Sequence, residues 1–378
     1  MTPAAPSTGL RPWVERAWRD DAPGGARWWL RPAAILYGAA TRVARARARR
    51  SRRSVPAIRV VAVGGLAIGG AGKTSLARWA ALHAHASGLK PALLLRGHGG
   101  SAANLAPQAL PIARPGDAGA IRWFGDEAIA HRAALPPEVP VIAGRDRLAG
   151  ARLAASLGAS LAILDDGWEQ PDLAWDALWV ALDPLRPLAN GWGLPAGPLR
   201  RPASTLEEAN VIVGIAETRV EAGLGALAEA AALHAPGVPV VAFRRTVRRI
   251  VTLDGRVEID RAADLGEVLL VSSVGSPDRL ERFLAGEGTG IVDHLAFPDH
   301  GAWNAAVVLS RAAAAARRGA RALLVTDKDA PRARLLPALP LERYVLSTRL
   351  DPLDEPEPLL RGLRGGDVGT MASPGAIG

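Results

Sequence analysis

The chain has 378 residues, 49% of them hydrophobic and 22% charged, with a net charge of +9 and no cysteine. That length and balance describe a folded protein with room for two domains. They exclude a disordered chain, a disulfide framework, a thiolate metal site and a cysteine nucleophile.

The charge is uneven. Thirteen arginines lie within residues 1–60 against Glu15, Asp20 and Asp21, so the positive excess belongs to an N-terminal arm and the remainder is close to neutral. Residues 1–25 are rich in Pro, Gly and Ala and are expected to be loose. The stretch RWWLRPAAILYGAATRVARARARRSRR (27–53) predicts a helix, with Pro32 in its first turn. Ile35, Leu36, Ala39, Ala40 and Val43 fall at helical spacing, and Arg42, Arg45 and Arg49 line another face. With Trp28 and Trp29 just before, the pattern fits a helix lying in a membrane interface against anionic lipid. A solvated basic arm is the alternative. No zinc-finger or aromatic-spaced pattern supports a nucleic-acid partner, and none is expected. The apolar run 33–40 falls short of the roughly 20 residues a spanning helix needs. No secretory signal is evident, so a cytoplasmic protein is expected.

From residue 57 the chain alternates strand and helix. Strands are predicted at 57–63, 91–97, 139–144, 161–166, 177–182 and 209–215, with helices at 72–86 and 145–158. This predicts an α/β fold with a mostly parallel sheet. Residues 238–259 read as two extended segments joined at Asp254–Gly255, a hairpin signal. A smaller α/β unit follows, with strands at 267–275 and 321–326 and helices near 277–285 and 303–318. The Gly-rich end of the chain is expected to be disordered.

The first strand leads into AIGGAGKT (67–74), a P-loop pattern opening a helix. Gly69, Gly70 and Gly72 let backbone N–H groups wrap a phosphate, and the helix N-terminus adds its dipole. Lys73 is one of three lysines among 46 basic residues. A compact ammonium on a flexible stem reaches the β- and γ-phosphates in a way a planar guanidinium does not. Thr74 can offer its hydroxyl to Mg²⁺. The nucleotide-binding residues predicted here are Ile68, Gly69, Gly70, Ala71, Gly72, Lys73, Thr74 and Ser75. The strand LAIL then ends in Asp165 and Asp166, placed to hold Mg²⁺ opposite Thr74. TDKDA (326–330) lacks the register of a guanine reader, which leaves ATP-dependent phosphoryl transfer or hydrolysis.

Further segments occur in a family-specific order: LLRGHGG (94–100), GDEA (125–128), GRDR (144–147), LDDGWEQ (164–170), NGWGLPAGPLRRP (190–202), FPDH (297–300) and TDKDA. In this order, from about residue 28 to 345, the chain resembles the tetraacyldisaccharide 4′-kinases of lipid A biosynthesis. The resemblance implies transfer of the ATP γ-phosphate to the 4′-hydroxyl of an acylated glucosamine disaccharide 1-phosphate. It implies a peripheral protein on the cytoplasmic face of the inner membrane, docked by its N-terminal helix. It also implies a P-loop domain joined to a smaller C-terminal α/β domain by a two-stranded linker. The expected boundaries are 1–55 for the arm, 56–237 for the P-loop domain, 238–260 for the linker, 261–360 for the smaller domain and 361–378 for the tail.

Carried over residue by residue, the resemblance makes Asp126 the acid/base group at the sugar hydroxyl, with His300 its partner. Arg96, His98, Asn190 and Arg200 fall on the substrate side. A membrane-recruited nucleotide switch without lipid kinase activity is the alternative. The chain departs from the family pattern where SRGYGG has become Leu95 and His98, where DDGFQH has become Glu169 and Gln170, and where PLRE ends in Arg201. The last change reverses a charge beside the expected metal site. Either it weakens metal binding or Glu169 compensates.

Overall fold

A computed structural model describes residue 18 and residues 28–111, 118–170, 172–218, 224–298 and 303–365. The expectations for residues 1–25, Trp18 apart, and for 366–378 lie outside the described residues, as does His300.

After helix α1 (Arg31–Ser51), the first half of the chain runs β1 (Arg59–Gly65), α2 (Lys73–Ala86), β2 (Pro91–Leu95), β3 (Gln108–Ala109) and α3 (Ala118–Phe124). It continues with α4 (Asp126–Ala134), β4 (Val141–Ala143), α5 (Arg147–Ser156), β5 (Leu161–Leu164), β6 (Ala177–Leu182), β7 (Val211–Ala216) and α6 (Gly225–His234). The central strand β1 pairs in parallel with β5 and β6. Its residues from Val60 to Gly65 are all buried, because helices cover both faces of the sheet. Val61 and Val63 pack with Leu76 and Ala80 of α2, while Val60 and Ala62 pack with Leu148 and Ala151 of α5. Small residues let the helices lie close: Ala77, Ala80, Ala81 and Ala84 of α2 are fully buried. Asp146 caps α5 by accepting a hydrogen bond from the Ala149 N–H at 2.9 Å.

The second half runs β8 (Val240–Thr252), β9 (Glu258–Ile259), β10 (Glu267–Ser272), α7 (Pro277–Gly286), β11 (Gly290–Ala296) and α8 (Ala305–Arg317). It ends with β12 (Ala322–Thr326), α9 (Ala330–Ala333), β13 (Glu342–Pro352) and α10 (Glu357–Arg364). All strands join one sheet in the order β11-β10-β12-β13-β8-β7-β6-β1-β5-β2-β4-β3, with β9 paired to β8. The hairpin signal at Asp254–Gly255 corresponds to the β8–β9 turn, with Gly255 at φ 75°. The long partner of β8 is β13, antiparallel to it from Phe243–Pro352 to Thr252–Tyr344. Nothing in the sequence marked β13, whose polar and apolar residues mix without regular alternation. Helix α10 also runs past residue 361, where a tail was expected.

The β8–β13 pair sets the direction of everything else. Strand β7 is parallel to β8, β12 is parallel to β13, and β8 and β13 oppose one another. Because β7 pairs with the start of β8 (240–244) and β12 with the start of β13 (342–346), which lies beside the far end of β8, the carboxyl ends of the two parallel sets point towards each other. Loops at those ends are where open α/β sheets carry ligands.

Helix α1 lies along the first half with only Ala34 buried. Two of the three arginines placed on one face of this helix, Arg45 and Arg49, make contacts with the protein. Arg49 pairs with Glu208 at 2.6 Å, and Arg45 donates to the Arg200 carbonyl at 3.2 Å. Arg52 stacks over Trp175 at 3.6 Å.

Candidate active site

The P-loop joins the end of β1 to α2. Gly72 sits in the left-handed region at φ 92°, and a Cβ there would lie 2.4 Å from Ile215 Cδ1. Only glycine turns the chain at this point and lets α2 begin at Lys73. The adjoining strand end delivers Asp166, itself at φ 53°. Its Oδ1 lies 3.5 Å from Lys73 Nζ, and Arg200 Nη1 donates to both its oxygens at 2.9 and 3.2 Å. Burial pushes the Asp166 carboxyl up, but Lys73 and Arg200 outweigh it and hold the group below its ordinary range. Arg200 is brought here by backbone pairing: its N–H bonds the Leu66 carbonyl at 2.9 Å, and Ile68 N–H bonds the Pro198 carbonyl at 2.8 Å.

Asp165 points elsewhere. Its Oδ2 accepts from His131 Nε2 at 3.0 Å, and both side chains are buried. Burial lowers the His131 pKa, against the opposing bond to Asp165, so a neutral imidazole orients this carboxylate. Arg147 lies beneath, donating to the Gly144 carbonyl and pushed down to about 10 by burial. Of the two aspartates, Asp166 faces the P-loop lysine and Asp165 braces the turn from behind.

The sheet reversal brings the second half onto this site. Gly70 N–H donates to Ser276 Oγ at 3.1 Å, and Arg279 donates to the Gly70 carbonyl at 2.7 Å. Arg279 and Arg245 flank the buried Glu217, at 2.6 and 2.8 Å. Burial pushes the Glu217 carboxyl up, and the two guanidinium groups more than offset this. Arg245 also donates to Ser75 Oγ at 3.0 Å, so Ser75 faces β8. Asp327 pairs with Arg78 of α2, and Lys328 Nζ lies 4.0 Å from Glu127.

Asp126 is the first residue of α4 and is buried, with its Oδ2 3.0 Å from Arg332 Nη2. Tight glycine contacts place it. A Cβ on Gly125 would lie 2.2 Å from the His98 carbonyl oxygen, and one on Gly100 would meet Phe124 and Trp123 backbone at 2.5 Å. These glycines dock the loop after β2 onto the start of α4. Arg96 and His98 are exposed on that loop. The side chain of Asn190 is engaged within its own loop, donating to the Ala196 carbonyl and accepting from Trp192 N–H, both at 3.1 Å.

The reversed charge at position 201 has its answer in a second departure. Arg201 is buried, donates to Glu169 Oε1 at 2.7 Å and to the Trp168 carbonyl at 2.6 Å, and lies over the Trp168 ring at 4.3 Å. Glu169 compensates it.

Mg²⁺ delivered with a triphosphate takes one or two protein oxygens and completes its shell with phosphate and water. Asp166, beside the P-loop lysine, offers one such oxygen. Sequence reasoning did not single out His131, Arg332, Ser276, Arg279 or Glu217, and none lies in a pattern that marks it.

Ser272, His294 and Glu281 form a further line of contacts, with Ser272 Oγ and His294 Nε2 2.8 Å apart. Ser272 is fully buried, so no substrate reaches its hydroxyl; the three residues tie β11 to β10 and to α7.

The pattern of the family described as Tetraacyldisaccharide-1-P 4′-kinase matches residues 26–363. The chain is similar to the tetraacyldisaccharide 4′-kinase of Parvibaculum lavamentivorans, with 36% identity over 84% of each chain. It is 35% identical to the protein of that name from Methylobacterium sp. (strain 4-46), over 91% of this chain and 94% of the other. In fold it resembles LpxK from Aquifex aeolicus, crystallised as an "apo" form in complex with ATP. The TM-score is 0.63 at 22% identity, covering 89% of this chain and 97% of that one. By the extent of these matches, the chain belongs to the tetraacyldisaccharide-1-P 4′-kinase family.

Proposed function

We infer that the chain is an ATP-dependent tetraacyldisaccharide 4′-kinase, moving the γ-phosphate of ATP to the 4′-hydroxyl of an acylated glucosamine disaccharide 1-phosphate in lipid A biosynthesis. The observation that carries this is the convergence of Lys73, Asp166 and Arg200 at the P-loop, in a chain of this family. The amides of Gly69 to Gly72 and the Lys73 ammonium bind the triphosphate. Thr74 and Asp166 would hold Mg²⁺, which would neutralise charge on the phosphate oxygens. Asp165, steadied by His131, keeps the turn in place.

Asp126 accepts the proton of the 4′-hydroxyl as its oxygen bonds the γ-phosphorus and ADP departs with the broken bond's electrons. His300 is assigned as the partner of Asp126 on the family pattern. Arg96 and His98, exposed beside Asp126, and Arg200 are proposed to meet the acceptor, and Asn190 to shape the same loop. Helix α1 docks on an anionic membrane surface at the cytoplasmic face through Trp29, Ile35, Leu36 and Val43.

The test is phosphoryl transfer from γ-labelled ATP to the acylated disaccharide 1-phosphate in detergent micelles. Labelled lipid is expected from the parent chain, falling at least ~100-fold in Asp126→Ala and His300→Ala. Nucleotide hydrolysis without labelled lipid would replace the kinase with the switch.

A further inference from the structure

Arg332 belongs to the second half of the chain, on the short helix α9 that follows the TDKDA turn. One edge of its guanidinium is held there. Nη1 donates to Ser273 Oγ at 2.6 Å and lies 3.7 Å from Asp329 Oδ1. Asp329 is fully buried and fixed in turn: it accepts from the Ser273 N–H at 3.1 Å, the Ser273 hydroxyl, and the Thr326 hydroxyl at 2.8 Å. Ser273 follows β10 and Thr326 ends β12, so two adjacent strand ends lock this edge.

The other edge crosses to the first half. Nη2 lies 3.0 Å from Asp126 Oδ2, and the Asp126 side chain is only 1% exposed. A carboxylate so far out of water is normally driven towards its protonated form, which cannot accept a proton. A guanidinium is always charged, and as an ion-pair partner at this distance it favours the ionised carboxylate.

We propose that Arg332 is a positioning residue for phosphoryl transfer, supplied by the smaller half to hold Asp126 charged and aimed at the acceptor hydroxyl. The proposal rests on the reading of Asp126 as proton acceptor. It makes the base complete only when the two halves meet, since the scaffold of Arg332 is built entirely from β10, β12 and the turn between β12 and α9.

The experiment compares the full chain with Arg332→Gln, Arg332→Lys, Asp126→Asn and the Asp126→Asn/Arg332→Gln double variant, in the lipid kinase assay. Gln keeps a polar contact to Ser273 without the charge, and Lys keeps the charge without the fork. For Arg332→Gln, kcat is expected to fall about 10–100-fold, the scale of a misplaced reacting group. KM for ATP should stay within about threefold, because the P-loop is untouched. Arg332→Lys should recover part of the loss. The double variant should be no slower than Asp126→Asn alone, because Arg332 acts through that carboxylate. Parent-like kcat in Arg332→Gln, or losses that multiply in the double variant, would overturn the proposal. Parent-like kcat in Asp126→Asn would instead remove the proton-acceptor reading beneath it.

Discussion

At Gly72 two constraints coincide. The backbone is left-handed, and Ile215 fills the space a side chain would need. Gly72→Ala should therefore lower stability by about 1–3 kcal/mol through strain and overpacking. It should also weaken nucleotide binding, because Lys73 is the next residue. Urea unfolding and titration with a nonhydrolysable ATP analogue check both; parent values in both would show that the loop tolerates a Cβ there. The neighbouring residues teach a different lesson. Asp165 and Asp166 are adjacent and look equivalent in sequence, yet one pairs with a buried imidazole and the other with two cations. Glu169 and Arg201 look like two separate departures from the family pattern, and in space they are one ion pair.

At the scale of elements, α1 shows how far periodicity carries. Its existence and its proline start follow from spacing, and Pro32 does stand in the first turn. The use of its faces depends on what lies beneath. Glu208 draws in Arg49, and the backbone of the 193–200 segment receives Arg45. The apolar side chains remain outside, with Ile35 64% and Leu36 71% exposed. No described helix is long and apolar enough to cross a membrane. If α1 lies on a bilayer, Ile35→Asp/Leu36→Asp should release the chain from anionic vesicles. Each lost apolar contact weighs about 1.5–3 kcal/mol, so sedimentation should drop at least ~10-fold. The unfolding midpoint should not move, because both side chains are exposed in the folded chain. Unchanged sedimentation would remove the docking role.

At the scale of the molecule, the two halves meet along the β8–β13 pair and through ion pairs that cross between them. Glu217, held by Arg245 and Arg279, is the most buried of these contacts at the P-loop. Its carboxyl lies below the ordinary value of 4.5 in the folded chain. The unfolded chain therefore takes up the proton first on acidification. The stabilisation is complete above the unfolded value and fades as pH falls below it through the folded value. Glu217→Gln leaves two guanidinium groups facing a neutral amide and should cost about 3–5 kcal/mol at neutral pH. That difference should shrink as pH drops below 4.5. Denaturant midpoints of both chains from pH 7 down to about 3 measure it. A gap independent of pH would mean that packing, not charge, accounts for the loss.

The sequence alone determined the α/β alternation, the P-loop with its lysine, the aspartates after β5 and the helical arm. Each rests on local chemistry: buried runs between two helical layers, glycine at a forced turn, and apolar residues repeating at helical spacing. Family order added Asp126. Tertiary structure alone decided that β13 completes the join to β8, that His131 claims Asp165 while Lys73 claims Asp166, and that Arg332 reaches Asp126 from 206 positions away in the chain. Those choices depend on strand direction and on which charges burial forces together, and neither is written in the spacing of neighbouring residues.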